Sequence, residues 1–228
     1  MLKAILFDLD NTLLDFSGFK RESALAVAKA IREAGVRESE KALYEKLFAI
    51  YEKKGIEYQN TFEDLLSDYN LGASLHEHAK QAAIIAYTKK KYLLLKPRPK
   101  VVTMLSALRK KYKLAVVTDA PREKAWQRLI LAGLDHLFGV VVSYDDSGEK
   151  KPSKLPFMNA LRVLNVLPQE ALFVGDMPER DIVGAKRAGL ATCFAKYGCI
   201  AYSPEENVAD FTIEKFDEIK GIIEQLEG

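Results

Sequence analysis

Acidic side chains cluster in one short stretch near the start of the chain. Residues 4–15 read AILFDLDNTLLD: four apolar residues run into Asp8, Asp10 follows two places on, and Asp15 closes the segment. An apolar run that ends on neighbouring carboxylates works against itself, because burial and like charge both penalise the ions. Other reactive side chains stand after later apolar runs. Thr118-Asp119 follows KLAVV, Lys150-Lys151-Pro152 lies beyond GVVVS, Gly175-Asp176 ends ALFVGD, and Asp181 comes soon after. Several acids at one point suit a hard cation with oxygen ligands, most plausibly Mg²⁺. A cation, a lysine and hydroxyl or backbone donors around one centre suit a phosphoryl group. An aspartate can itself be the nucleophile and form an aspartyl-phosphate.

These residues act together only if the fold brings them to one place. KAILFD is short, apolar and followed by a polar turn, as a buried strand is. From Phe19 to about Leu95 the period is helical instead. One helix ends at Gly35 and a second at Gly55; a third starts after Asn60, with Glu63 placed for a capping box; a fourth runs from Ser74 to about Leu94. Pro97 and Pro99 break the chain. Beyond them strands and helices alternate: KLAVVTD, a helix from Pro121, GVVVS, a helix over 154–166, ALFVGD, the helix ERDIVGAKRAG, LATCFA, ADFTI and an amphipathic tail. Alternation of this kind predicts an α/β fold with a Rossmann-like parallel sheet and helices on both faces. The expected division is a core of residues 1–15 and 97–228, with an all-helical insert at 16–96. In an open parallel sheet ligands gather beyond the carboxyl ends of the strands, where each of these polar residues falls. Taken singly, each is an ordinary turn, cap or loop residue. Four separate segments delivering such residues to one sheet edge point to function.

Composition narrows the classes. The 228 residues are 48% hydrophobic and 29% charged, with a formal net charge of +2. That suits a soluble globular protein and offers no broad basic field for nucleic acid. The runs Lys89-Lys90-Lys91 and Arg109-Lys110-Lys111 read as solvated helix ends. Two cysteines, Cys193 and Cys199, cannot make a secreted-type disulfide framework. No apolar run reaches membrane-spanning length, and acids interrupt the N-terminal stretch where a signal peptide needs apolar residues. A cytoplasmic protein with no nucleic-acid or membrane partner is expected; the oligomeric state is open.

FDLDNTL, from Phe7 to Leu13, resembles the DxDxT signature of the haloacid dehalogenase-like hydrolase superfamily. VVTD resembles its second motif, Lys151-Pro152 its third, and VGD with Asp181 its fourth. The insert after the first motif is similar to the subclass I helical cap. Ala120 departs from the pattern, standing where relatives often carry Gly. The resemblance implies that Asp8 attacks phosphorus and that Asp10 serves as general acid and base, while its backbone carbonyl helps hold Mg²⁺. It implies that Thr118 and Lys151 grip the transferring phosphoryl group, with Thr12 and Asp119 in the substrate site. Asp176 is then a metal ligand beside Asp8 and Asp10, and Asp181 supports Lys151 or metal-bound water. The partner is a small phosphorylated metabolite; the layout looks most like archaeal-type phosphatases of glyceraldehyde 3-phosphate, with phosphoglycolate a rival.

Three other readings stand beside it. A sugar-phosphate mutase uses the same motifs with another acceptor. A 2-haloacid dehalogenase directs the aspartate at carbon, but that branch lacks the acid found at Asp10. A non-enzymatic phospho-accepting receiver is shorter and lacks the insert. His76 and His78 are two apart on a helix and share no face, so they read as surface residues. There is neither a GxxxxGK loop nor a GxGxxG fingerprint.

Overall fold

The apolar runs become the strands of one parallel sheet. The computed structural model describes residues 1–200 and 208–228. The strands are β1 (Ala4–Phe7), β2 (Lys113–Val117), β3 (Val140–Val142), β4 (Ala171–Gly175), β5 (Ala191–Ala195) and β6 (Phe211–Ile213). Their order is β3-β2-β1-β4-β5-β6, every neighbouring pair is parallel, and Phe7 lies level with Val116 and Val174. The chain winds outward from β1 through β2 to β3, then returns to the far side of β1 with β4. Strand order therefore reverses at β1, which makes its carboxyl end the switch point where such sheets bind ligands.

The strands are apolar on both faces because both faces are covered. Leu6, Ala115 and Phe173 share one face and pack with Phe157 and Ala160 of the helix Leu155–Leu164 and Ala185 of the helix Val183–Arg187. Phe7 points to the other face and meets the rings of Phe138 and Phe216 at 6.3 and 5.9 Å.

The chain forms two compact units, Met1–Asp15 with Lys96–Gly228, and Phe16–Leu95. The second unit contains helices α1 (Phe16–Glu33), α2 (Glu40–Lys54), α3 (Thr61–Ser67) and α4 (Ala73–Leu94). Its core joins Val27 and Ile31 of α1, Leu43 and Leu47 of α2, Leu65 and Leu66 of α3, and Ala79 and Ala83 of α4. Helices α1 and α4 run antiparallel: Phe19 meets Tyr87 at 5.5 Å, and Leu75 lies beside Gly35 at the opposite end. Ser39 caps α2 by accepting from the Ala42 amide at 3.1 Å.

In the first unit the remaining helices are α5 (Val101–Leu108), α6 (Arg122–Leu131), α7 (Tyr144–Ser147), α8 (Leu155–Leu164), α9 (Val183–Arg187) and α10 (Ile219–Glu227). Two local expectations are corrected. The Asn60 side chain makes no cap bond, so no capping box forms; Glu63 instead pairs with Lys80 at 2.9 Å and His76 at 3.4 Å. The ERDIVGAKRAG segment is not one regular helix. It opens with a wide π-type turn over Pro178–Ile182 before α9, a distortion that often marks functional sites.

Candidate active site

β1 delivers Asp8 directly, and its amide still donates to Val174 O at 2.9 Å, so the ladder reaches the first carboxylate. The chain then turns sharply. Asn11 takes φ 64°, a left-handed angle that Asn tolerates better than most residues. Arg98, on the segment before α5, holds this turn by donating from Nε to Asn11 O at 2.7 Å. Tyr197 donates to Thr12 O at 3.0 Å. Gly198 beside it cannot carry a side chain, since a Cβ would collide with Asn11 O and lie 2.8 Å from Asp176 Cβ.

The neighbouring strand ends supply the rest. Lys151 Nζ sits 2.5 Å from Asp8 Oδ1 and 2.6 Å from Asp181 Oδ1, and donates to Val117 O at 3.3 Å. Its amide donates to Asp119 Oδ1 at 2.9 Å, fixing the loop from which the side chain emerges. Thr12 Oγ1 donates to Asp176 Oδ1 at 3.2 Å. The wide turn after β4 lets Asp181 fold back and accept from the Met177 amide at 3.1 Å. Gly175 makes room for it, because a Cβ there would lie 2.6 Å from Asp181 Oδ2.

Carboxylate oxygens of Asp8, Asp176 and Asp181 lie within 4.8 Å of one another, all on buried residues. Burial, reinforced by Asp181 and Asp10 against the pull of Lys151, pushes Asp8 up to about 7. Burial, with Asp8 and Asp181 adding, lifts Asp176 well above the usual carboxylate range. Burial works against the Lys151 charge, but Asp181, Asp8 and Asp119 outweigh it and hold its pKa above the ordinary lysine value. The cluster therefore carries more negative charge than it can comfortably hold. Three hard oxygen donors with surplus negative charge fit Mg²⁺.

The predicted residues divide into groups. Asp8, Asp176, Asp181 and Lys151 meet. Thr118 is buried at the end of β2, where its hydroxyl accepts from the Ala120 amide at 3.2 Å. Asp119 turns to the Lys151 amide and, at 3.3 Å, to Arg180. The Asp10 carboxylate stands outside the three-acid cluster and pairs with Arg128 Nη1 at 2.5 Å. Lys150 is exposed, its ammonium 5.6 Å above the Tyr144 ring.

Sequence reasoning missed Arg128, Arg98 and Tyr197. Arg128 left a readable signal, because Ala125, Arg128 and Leu129 share the buried face of α6 at helical spacing. Arg98 and Tyr197 left none; each acts on backbone carbonyls far away in sequence.

A profile of haloacid dehalogenase-like hydrolases matches residues 2–189. The chain is 35% identical to a glyceraldehyde 3-phosphate phosphatase of Methanopyrus kandleri, over 99% of both chains. It is 32% identical to a phosphoglycolate phosphatase of Aquifex aeolicus, covering 94% of this chain and 93% of that one. Among solved structures, a 2-haloacid dehalogenase of Pseudomonas syringae superposes with a TM-score of 0.71 at 22% identity, over 99% of each chain. The fold alone therefore does not distinguish attack on phosphorus from attack on carbon.

Proposed function

The chain belongs to the haloacid dehalogenase-like hydrolase family, and from that premise we propose a Mg²⁺-dependent phosphatase of small metabolites, acting on glyceraldehyde 3-phosphate through an aspartyl-phosphate on Asp8. The observation that carries the chemistry is the meeting of Asp8, Asp176 and Asp181 around Lys151 at the switch point of the sheet. The substrate rests on the Methanopyrus relative, whose likeness extends along the whole chain. The Aquifex relative makes phosphoglycolate the second substrate to test.

Asp8 and Asp176, with the backbone carbonyl of Asp10, would hold Mg²⁺. When bound, the cation would keep Asp8 ionised and screen it from the phosphate it attacks. Asp8 attacks phosphorus while the ester oxygen leaves opposite. Asp10 gives that oxygen its proton, then takes one from the water that hydrolyses the aspartyl-phosphate. Lys151 neutralises charge on the transferring group and is held by Asp181; Thr118 supports the same group, with Thr12 and Asp119 setting the loops around it. Residues 16–95 act as a cap that excludes water and selects the substrate.

The test is phosphate release from a panel of phosphomonoesters that includes both candidates, with Mg²⁺ and with chelator. Metal-dependent release, fastest from glyceraldehyde 3-phosphate, is expected. Halide release from 2-haloacids with no phosphoester turned over would overturn the reading.

A further inference from the structure

Helix α6 buries a permanent charge where its period calls for an aliphatic side chain. Ala125 and Leu129 are fully buried on that face, and Arg128 between them is 5% exposed. A buried guanidinium is costly unless it is paired in good geometry. Arg128 Nη1 reaches Asp10 Oδ2 at 2.5 Å, with the arginine side chain 6% and the aspartate 23% exposed. The helix that carries it starts just after the Thr118–Pro121 turn, and β2 lies directly beside β1. The arginine thus reaches across from the neighbouring strand's own helix.

The chemistry gives this contact a use. In two successive in-line displacements at phosphorus, the water enters where the ester oxygen left. One carboxyl group, held in one place, can therefore serve both proton transfers. Asp10 lies beyond the end of β1, where the ladder does not fix its side chain. We propose that Arg128 is a positioning residue that anchors Asp10 through Oδ2 and assigns Oδ1 to proton exchange in both half-reactions. This rests on the phosphatase reading above. Lysine would keep the charge but not the rigid, directed N–H of the guanidinium, so it should replace arginine only in part.

The test is a double-mutant cycle between Arg128→Met and Asp10→Asn, with Arg128→Lys as a second variant. Substrates are the best alkyl phosphoester from the panel and 4-nitrophenyl phosphate, whose leaving group needs little acid help. Arg128→Met should lower kcat on the alkyl ester about 10–100-fold, with KM changed by less than about threefold. The burst of enzyme phosphorylation by 4-nitrophenyl phosphate should slow much less. In the Asp10→Asn background the same change should cost less than about twofold, because the group it positions is gone. Arg128→Lys should recover part of the loss. If Arg128→Met does not fold, as judged by circular dichroism, Arg128→Lys and the double variant carry the test. A loss that multiplies fully with Asp10→Asn, a rise in KM alone, or equal losses in the phosphorylation step of the two substrates would overturn the assignment. Wild-type protein that releases phosphate from no ester would instead overturn the phosphatase reading, so the two failures are separable.

Discussion

In the helical insert, opposite charges meet on the surface: Lys54 with Asp64, Lys80 with Glu63 at 2.9 Å, and Lys46 with Asp68 at 3.5 Å. In the α/β unit Lys151, Asp8 and Asp181 meet with side chains only 1%, 9% and 1% exposed. Surface pairs contribute roughly 0–1 kcal/mol each and are cheap to rearrange. Buried ones are costly, and here carboxylates outnumber the ammonium they surround. Where the insert does bury an ammonium, Lys20, it places it near the rings of Phe16, Phe19, Tyr51 and Tyr87 and lets it donate to Ile56 O and the Tyr87 hydroxyl. One unit uses charge in ways that suit folding. The other keeps a charge arrangement that folding alone would not select, and that is where chemistry is expected.

Asp8→Asn tests the contrast most severely. Turnover should fall by about 10⁴-fold or more and no phosphoenzyme should form, as seen by acid quench with labelled substrate. Residual phosphoenzyme in this variant would move the nucleophile elsewhere. Lys151→Met should cost about 10²–10³-fold in kcat, whereas Lys150→Met should change it by less than about twofold. Equal losses at the two lysines would erase the distinction between the buried and the solvated one.

Asp176→Asn sharpens the comparison by separating activity from stability. Its activity should need at least about tenfold more Mg²⁺. The sign of the stability change is opposite. A carboxyl whose folded pKa is raised costs stability above its unfolded pKa, and the cost is relieved as pH falls through the folded value. The metal-free variant should therefore melt about 2–4 °C higher than wild type near pH 7.5, the shift expected for ~1 kcal/mol in a protein of this size. Adding Mg²⁺ should raise the wild-type melting temperature and leave the variant nearly unmoved. A variant that melts lower would show the acids to be structural.

Asp210 behaves the other way. Burial works against its charge, but bonds from Lys186 and Thr192 hold it below the usual carboxylate range. Its contribution is present above the unfolded pKa and lost as pH falls through the lower folded value. Because the pair is half-exposed and screened by solvent, Asp210→Asn should cost only about 0.5 kcal/mol at pH 7, and denaturant titrations should show the gap narrowing as pH falls through the carboxylate range. The smallest effect belongs to the insert's surface. Lys80→Met should leave the denaturation midpoint indistinguishable from wild type, and a clear loss would mean that pairs there are not dispensable.

The sheet was legible because its strands are continuous apolar runs ending in polar turns. ALFVGD and KLAVVTD announce both the strand and the edge of the site. Asp8 and Asp176 could be picked out because each stands at such an edge, and Lys151 because it lies in the loop that follows β3. What could not be read was the partner of each side chain. Asp119 could have faced a substrate; it accepts the Lys151 amide instead. Asn60 and Glu63 had capping spacing, but Lys80 and His76, supplied by α4, drew the glutamate away. The turn at Pro178–Ile182 was hidden because helical period says nothing about one extra residue per turn. In each case the deciding contact comes from a segment distant in sequence or from a backbone departure with no compositional mark.

Leu14 and Pro97 form an isolated antiparallel bridge, and Arg98 donates its amide to Leu13 O at 2.9 Å. The chain thus leaves the α/β unit and re-enters it at the same point. This matters for how the protein assembles. To pair β1 with β2, the chain must close a loop that contains the 80 residues of Phe16–Leu95. As unstructured chain, those residues add about 1 kcal/mol of closure entropy, because the rest of the loop between Phe7 and Lys113 is only about 25 residues long. Once α1 and α4 pair, their antiparallel ends present Asp15 and Lys96 side by side, and most of that entropy has already been spent within the insert. The helices then act as a folding staple for the sheet. Substitutions that loosen the α1–α4 contact should slow formation of the β1–β2 pairing, although every strand of the sheet lies outside the insert.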